Sequence, residues 1–507
     1  MFLVTEKHLR AIYGRPQDRR FVRVGHLASA ESIPALVDID RLVTRHSAVV
    51  GTTGSGKSTT VAGLLSALSD PSHYPAARIL VIDIHGEYGA ALADRARVFR
   101  INADKAKKDE ALYIPYWALT ADELIPVTFG QIDDAGRGSV LDRIADKKRE
   151  SIGKKPRPGL TADSLTVDSP VPFSLHQLWF DLHCEMRATH HEQAGRPQSK
   201  ETWALELGGD NKPIQPGDTM RVIAPRFRPA KDIKDDPEKI RLSRSPLNIG
   251  RSIDRLASRL RDPRFDFLFR PGPWLPKEDG AVENDLDSLL ALWLGREKPI
   301  TILDLSGVPP SIQSDLVAAL LRIVYEALFW ARRLPEGGRS RPLLVVLEEA
   351  HLYLSQPEWP AAQAVRRIAK EGRKYGIGAM IVSQRPSEVD HTILSQCGTL
   401  IAMRLTNSND RGHVTSAATD NLEGLFAMLP ILRTGEAVIV GEAVNLPVRT
   451  QIDRPSKNRR PDSADPTLVG TEDVVAAKKS GWISEAKKED YARVMKAWRE
   501  QYPRGEE

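Results

Sequence analysis

A doubly wound α/β fold with a mostly parallel sheet is predicted by three features of this sequence. It has short apolar runs that are continuous rather than alternating, helix-forming stretches between them, and a glycine-rich turn joining one run to the helix that follows. The runs lie at 48–50, 79–82, 300–305, 343–347, 379–382, 400–403 and 437–440. Rich in Val and Ile, they suit strands covered on both faces, the condition of a parallel sheet. Within 311–333, Ile312, Leu316, Leu320, Ile323 and Ala327 share one helical stripe. Strands alternating with helices imply a doubly wound core.

Taken in order, residues 1–44 read as a short β region, with strands at 21–24 and 36–39. The α/β core occupies 45–104 and 296–454. Between 105 and 295 the strand pattern lapses into basic stretches (Lys105 with Lys107 and Lys108, then 147–149 and 154–157), prolines and amphipathic helices. That segment is expected to be a mainly helical insertion, with loops near 150–170 and 186–240. Residues 455–507 form a C-terminal arm: a polar segment at 455–465 and a charged helix over 485–501.

The 507 residues are 41% hydrophobic and 27% charged, enough apolar content for a sizeable core. The net charge of +5 comes from 72 basic and 67 acidic residues, an excess that permits a nucleic-acid partner without requiring one. The two cysteines, Cys184 and Cys397, exclude a disulfide framework. No run approaches the ~20 apolar residues of a membrane span, and the first residues lack the apolar core of a signal peptide. A cytoplasmic protein without a membrane partner is expected.

Gly51-Thr52-Thr53-Gly54-Ser55-Gly56-Lys57-Ser58 fits the phosphate-binding loop, and Thr59 follows. Its glycines let backbone N–H groups turn toward phosphate oxygens. Lys57 would reach the β- and γ-phosphates of ATP, and the Ser58 hydroxyl would hold Mg²⁺. The run at 48–50 leads in and a helix follows, which puts a helix N-terminus under the anion. The run 343–347 ends in Glu348-Glu349-Ala350-His351. Glu348 stands where many such enzymes hold the metal, and Glu349 is the candidate for polarising the attacking water. After 379–382 comes Gln384, an amide placed to sense the γ-phosphate. Asp83 and Glu87, after 79–82, belong on the same carboxyl edge, where open α/β folds bind ligands. Among Arg366, Arg367, Arg373 and Lys374, Arg373 is the choice for an arginine set against developing phosphate charge in a neighbouring subunit.

Together these residues resemble the HerA branch of the HerA/FtsK P-loop ATPases, over about 25–454. Further landmarks are Arg45-His46, His85-Gly86-Glu87-Tyr88, Pro170–Phe173, Arg259–Phe265, Asp304–Gly307, Glu371–Lys374, Ser383–Pro386, Asn409-Asp410 and Gly435–Ala437. The resemblance implies a RecA-like core and a homohexameric ring with ATP and Mg²⁺ between subunits. It implies translocation of double-stranded DNA through the pore, and a nuclease or sirtuin-like effector partner, in DNA repair or antiviral defence. It supports Lys57, Glu349, Gln384 and Asp83 in their roles, makes Arg373 a trans-acting finger, and offers Arg45 as a cis-acting phosphate contact. Family members carry a fuller N-terminal β-barrel than 1–44 can supply, so either the barrel is reduced or this chain starts late.

Arg251, Arg255 and Arg259 fall one turn apart on a helix whose other face carries Ile253, Leu256 and Leu260. Such a row could track DNA phosphates, but more often it is a solvated face or a subunit contact. Two other functions fit the same motifs. One is an ATP-gated ring scaffold that activates an effector without net translocation; the other is a secretion or conjugation ATPase, against which the lack of an anchor counts.

Overall fold

The apolar runs become strands. In chain order these are β1 (Phe21–Leu27), β2 (Ala30–Asp38), β3 (Ser47–Val50), β4 (Ile79–Asp83), β5 (Ala96–Arg100), β6 (Glu110–Ala111), β7 (Thr189–His191), β8 (Ile240–Leu242), β9 (Ile300–Asp304), β10 (Leu343–Leu347), β11 (Ile377–Ser383), β12 (Thr399–Ala402), β13 (Glu436–Gly441) and β14 (Val448–Ile452). The computed structural model describes residues 6–13, 19–101, 103, 108–192, 197–231, 239–245, 247–295, 297–418, 422–461 and 488–500. These divide into two compact units, one of Met1–Leu112 with Asp287–Glu507 and the other Tyr113–Leu286.

The first unit holds a twelve-stranded sheet in the order β2-β1-β14-β13-β12-β3-β11-β10-β4-β9-β5-β6. From β12 to β6 every neighbouring pair is parallel. From β12 to β2 every pair is antiparallel. The sheet is therefore mostly parallel, as its apolar runs require: β3, β4, β9, β10 and β11 are buried at every position. Helices Lys57–Leu68, Pro310–Trp330 and Pro360–Glu371 flank it. Val49, Val61, Leu65, Val81, Ile302, Val346 and Val382 belong to one continuous core. Because the central strands point one way, the segments after β3, β4, β9, β10 and β11 all emerge at one edge.

The N-terminal β region is an extension of this sheet, since β1 pairs with β14. A Cβ on Gly25 would sit 2.0 Å from the Gln451 carbonyl, so that pairing needs a glycine. Both strands of the hairpin run longer than the sequence indicates because pairing continues past the apolar runs. In β14 burial alternates, as on a sheet edge with one covered face, and its apolar residues do not form a run.

The unit Tyr113–Leu286 carries helices Ala121–Thr128, Asp134–Lys154, Leu175–Arg187 and Gly250–Arg261, with β7 and β8 paired antiparallel. On the last helix Ile253, Leu256 and Leu260 are buried. Arg251 and Arg255 are exposed. Arg259 instead lies over the Phe265 ring, 4.3 Å from its centroid, so the three arginines do not form one free row. The expected arm helix is described as Lys488–Glu500; 485–487 and 501 lie outside the described residues, as do Lys105 and Lys107. No helix among the described residues is long and apolar enough to cross a membrane.

Candidate active site

The phosphate-loop sequence leaves β3 and turns into the helix Lys57–Leu68 with Gly54 at φ +73° and Gly56 at φ +97°, left-handed values that favour glycine. A Cβ on Gly51 would come within 2.6 Å of Ser55 Oγ and 2.8 Å of Met403 Cβ. The loop is held from the β12–β13 side. Thr52 N–H donates to the Arg404 carbonyl at 2.9 Å, and Gly435 N–H to the Ser55 carbonyl at 2.9 Å. Arg404 Nη2 and Thr434 Oγ1 both donate to the Gly54 carbonyl, at 3.3 and 3.2 Å. These bonds satisfy the Gly54 and Ser55 carbonyls, while Thr52 N–H is itself spent on Arg404 and Ser55 N–H on the Thr52 carbonyl at 3.1 Å. Ser55 Oγ is buried without a protein partner. Ser58 and Thr59 are half-buried in the first turn of the helix.

Opposite Lys57 stand the carboxylates that follow β10. Glu348 and Glu349 are 1% and 2% exposed, and Glu349 takes φ +45°, an unusual backbone for a non-glycine. Lys57 Nζ donates to Glu349 Oε1 at 3.0 Å and lies 3.8 Å from Glu348 Oε1. Gln384 Nε2 donates to the same Glu349 oxygen, while Gln384 Oε1 accepts from Thr53 Oγ1 at 2.7 Å. His351 Nδ1 is 3.2 Å from Glu349 Oε2 and 3.4 Å from Ser383 Oγ. Burial alone would push the Glu349 pKa up, but hydrogen bonds from His351, Lys57 and Gln384, with the Lys57 charge, outweigh it and bring it to about 2. Glu348 is different: burial dominates and raises its pKa to about 8 despite Lys57. Two adjacent carboxyls thus divide, one held ionised and the other pushed toward its protonated form.

Asp83 closes β4 and is fully buried. Its Oδ1 accepts from Gly86 N–H at 2.8 Å and Glu87 N–H at 3.3 Å, its Oδ2 from Tyr88 N–H at 3.0 Å. Burial pushes its pKa up to about 6. Both oxygens face its own loop, so Asp83 is committed to shaping 84–88. Tyr88 OH in turn donates to Glu348 Oε2 at 2.8 Å, and Tyr353 OH to the Glu348 carbonyl at 2.9 Å. Glu87 Oε2 is buried without a hydrogen-bond partner.

Lys57, Thr53, Glu348, Glu349 and Gln384 therefore meet. Arg45 and Arg373 do not join them. Arg45 precedes β3 while the loop follows it, and four strand residues span about 13 Å. Its guanidinium instead lies 3.4 Å from Glu442 Oε2. The expected cis contact of Arg45 with the phosphates is thus contradicted by strand direction. Arg373 precedes β11 and Gln384 follows it, so Arg373 also stands on the far edge. The two arginines line one cleft of about 510 Å³, with His46, Lys370, Cys397 and Glu442. His46 is structural: it is buried at φ +57°, and its Nδ1 accepts from Ala379 N–H at 3.1 Å. The sequence reading missed the site roles of Tyr88, His351, Tyr353, Arg404 and Thr434. Tyr88 and His351 stood inside quoted motifs, but their partners lie on other strands.

Fold and site together define a P-loop ATPase with a RecA-like core. Comparison with known proteins agrees. The family profile described as "Helicase HerA, central domain" matches residues 22–324, and "Helicase HerA-like C-terminal" matches 300–445. The chain belongs to the HerA helicase family. It is 26% identical over 478 residues to the DNA double-strand break repair helicase HerA of Pyrococcus furiosus, covering 89% of this chain and 72% of that one. A probable helicase of Methanocaldococcus jannaschii is 24% identical over 457 residues, covering 90% and 70%. Among solved structures, VirB4 of Thermoanaerobacter pseudethanolicus shares the fold with a TM-score of 0.52, at 13% identity, over 86% of this chain and 97% of that chain.

Proposed function

We propose that this ATPase is the motor subunit of a homohexameric double-stranded DNA translocase, working with a nuclease or other effector in DNA repair or phage defence. The observation that carries the reading is the chain Thr53–Gln384–Glu349–Lys57, which ties the phosphate loop to the acidic strand end through hydrogen bonds. Relatives named DNA double-strand break repair helicases support the DNA substrate.

The residues suit ATP with magnesium. Ser55 Oγ lacks a protein partner within the loop, Ser58 lies in the first turn of the helix, and Glu348 offers a buried carboxyl beside Lys57. Ser58 and Glu348 would hold the metal; bound there, magnesium neutralises phosphate charge. Lys57 exchanges Glu349 for the terminal phosphates. Glu349 then loses its cation, its pKa rises from about 2, and it becomes a better base for the attacking water. Gln384, bonded to both Thr53 and Glu349, relays whether the loop carries a terminal phosphate. Arg373, on the opposite edge, serves the site of the next subunit.

The test is ATPase rate with and without linear duplex DNA. Stimulation by DNA, lost in Lys57→Ala and Glu349→Gln, is the expected result. Hydrolysis indifferent to DNA, with effector activity surviving Glu349→Gln, would make the ring a scaffold instead.

A further inference from the structure

Asp83 closes β4 and Tyr88 opens the short helix after it; both are fully buried and hydrogen-bonded in series toward Glu348. Asp83 Oδ2 receives Tyr88 N–H at 3.0 Å, and Asp83 Oδ1 receives Gly86 and Glu87 N–H at 2.8 and 3.3 Å. These three bonds fix the left-handed turn at Gly86 (φ +75°) and so the start of the short helix bearing Tyr88. The phenol then donates to Glu348 Oε2 at 2.8 Å, while Tyr353 OH holds the Glu348 carbonyl at 2.9 Å. Glu348 Oε1 remains on the Lys57 side, 3.8 Å from Nζ.

Resting on the proposed role of Glu348, we infer that Asp83 and Tyr88 are positioning residues for the metal-binding carboxyl: Asp83 sets Tyr88, and Tyr88 aims the free oxygen of Glu348 at the cation. Asp83 thereby leaves the list of groups that act on the nucleotide directly. The physical reason is general: a ligating carboxylate bound by an outer partner is pre-oriented, and loss of that partner typically costs about 10-fold or more in metal affinity.

The experiment measures binding of a fluorescent ATP analogue to the full chain, with Mg²⁺ and with EDTA, alongside Mg²⁺ titrations of ATPase. For Tyr88→Phe the expected result is an unchanged affinity in EDTA and a half-saturating Mg²⁺ raised about 10-fold, with kcat at saturating Mg²⁺ within about twofold of wild type. Asp83→Asn should shift Mg²⁺ dependence in the same direction, and the double variant should be no worse than the more affected single one, because the two act in series. Thermal melting separates a folding defect from a positioning effect. Unchanged Mg²⁺ dependence in a folded Tyr88→Phe protein overturns the inference, as does additivity in the double variant. Failure of wild type to bind nucleotide would sink the proposed function instead, a distinguishable outcome.

Discussion

Lys57 Nζ and Glu349 Oε1 are 3.0 Å apart and both side chains are buried, so the lysine of the glycine-rich loop and the carboxylate after β10 form a buried ion pair. Removing one partner leaves the other charge buried, which typically costs ~3–5 kcal/mol. His351 and Gln384 still hold Glu349, so Lys57→Met should lower unfolding free energy by about 2 kcal/mol. Lys57→Met combined with Glu349→Gln should recover most of it. A denaturant double-mutant cycle checks this.

Gln384 bridges Thr53 and Glu349. Its removal should leave ATP binding nearly intact while disconnecting the base from the loop. Gln384→Ala is expected to lower kcat about 100-fold with KM for ATP within about threefold, a split that steady-state kinetics measures.

The cleft edge carrying Arg373 faces away from its own phosphate loop. Arg373→Ala and Lys57→Ala subunits should each be inactive alone, and mixing them should restore part of the activity. Complete silence of the mixture, with assembly intact, would count against a shared site.

His46 gives a pH dependence with a definite sign. Burial holds its pKa at about 4, against an ordinary 6.5, and its Nδ1 accepts a backbone N–H. Between those values the unfolded chain takes a proton that the folded one refuses. The stability contributed is therefore present above pH 6.5 and lost as pH falls through 4, by up to about 3 kcal/mol. Urea unfolding at a series of pH values should show a shallower acid slope for His46→Asn than for wild type.

The central strands were legible because a parallel strand covered on both faces has to be written as an unbroken apolar run, as in Leu343–Leu347. Ala96–Arg100 and Val448–Ile452 escaped because arginines interrupt both and the second alternates in burial. The strands Thr189–His191 and Ile240–Leu242 pair across some fifty residues, which no local pattern announces. In the site, the residues with dedicated chemistry could be read from the motifs. Those that aim them could not, because Tyr88 reaches Glu348 only through the register of β4 against β10. Arg45 precedes the strand that feeds the loop and therefore stands at that strand's other end.

The most direct test is phosphate release and nucleotide retention by the assembled protein given ATP and Mg²⁺, wild type beside Glu349→Gln. The account predicts steady phosphate release by wild type, and a variant that holds ATP while releasing phosphate at least about 100-fold more slowly. Equal release by both proteins, or no retention of ATP by either, would contradict it.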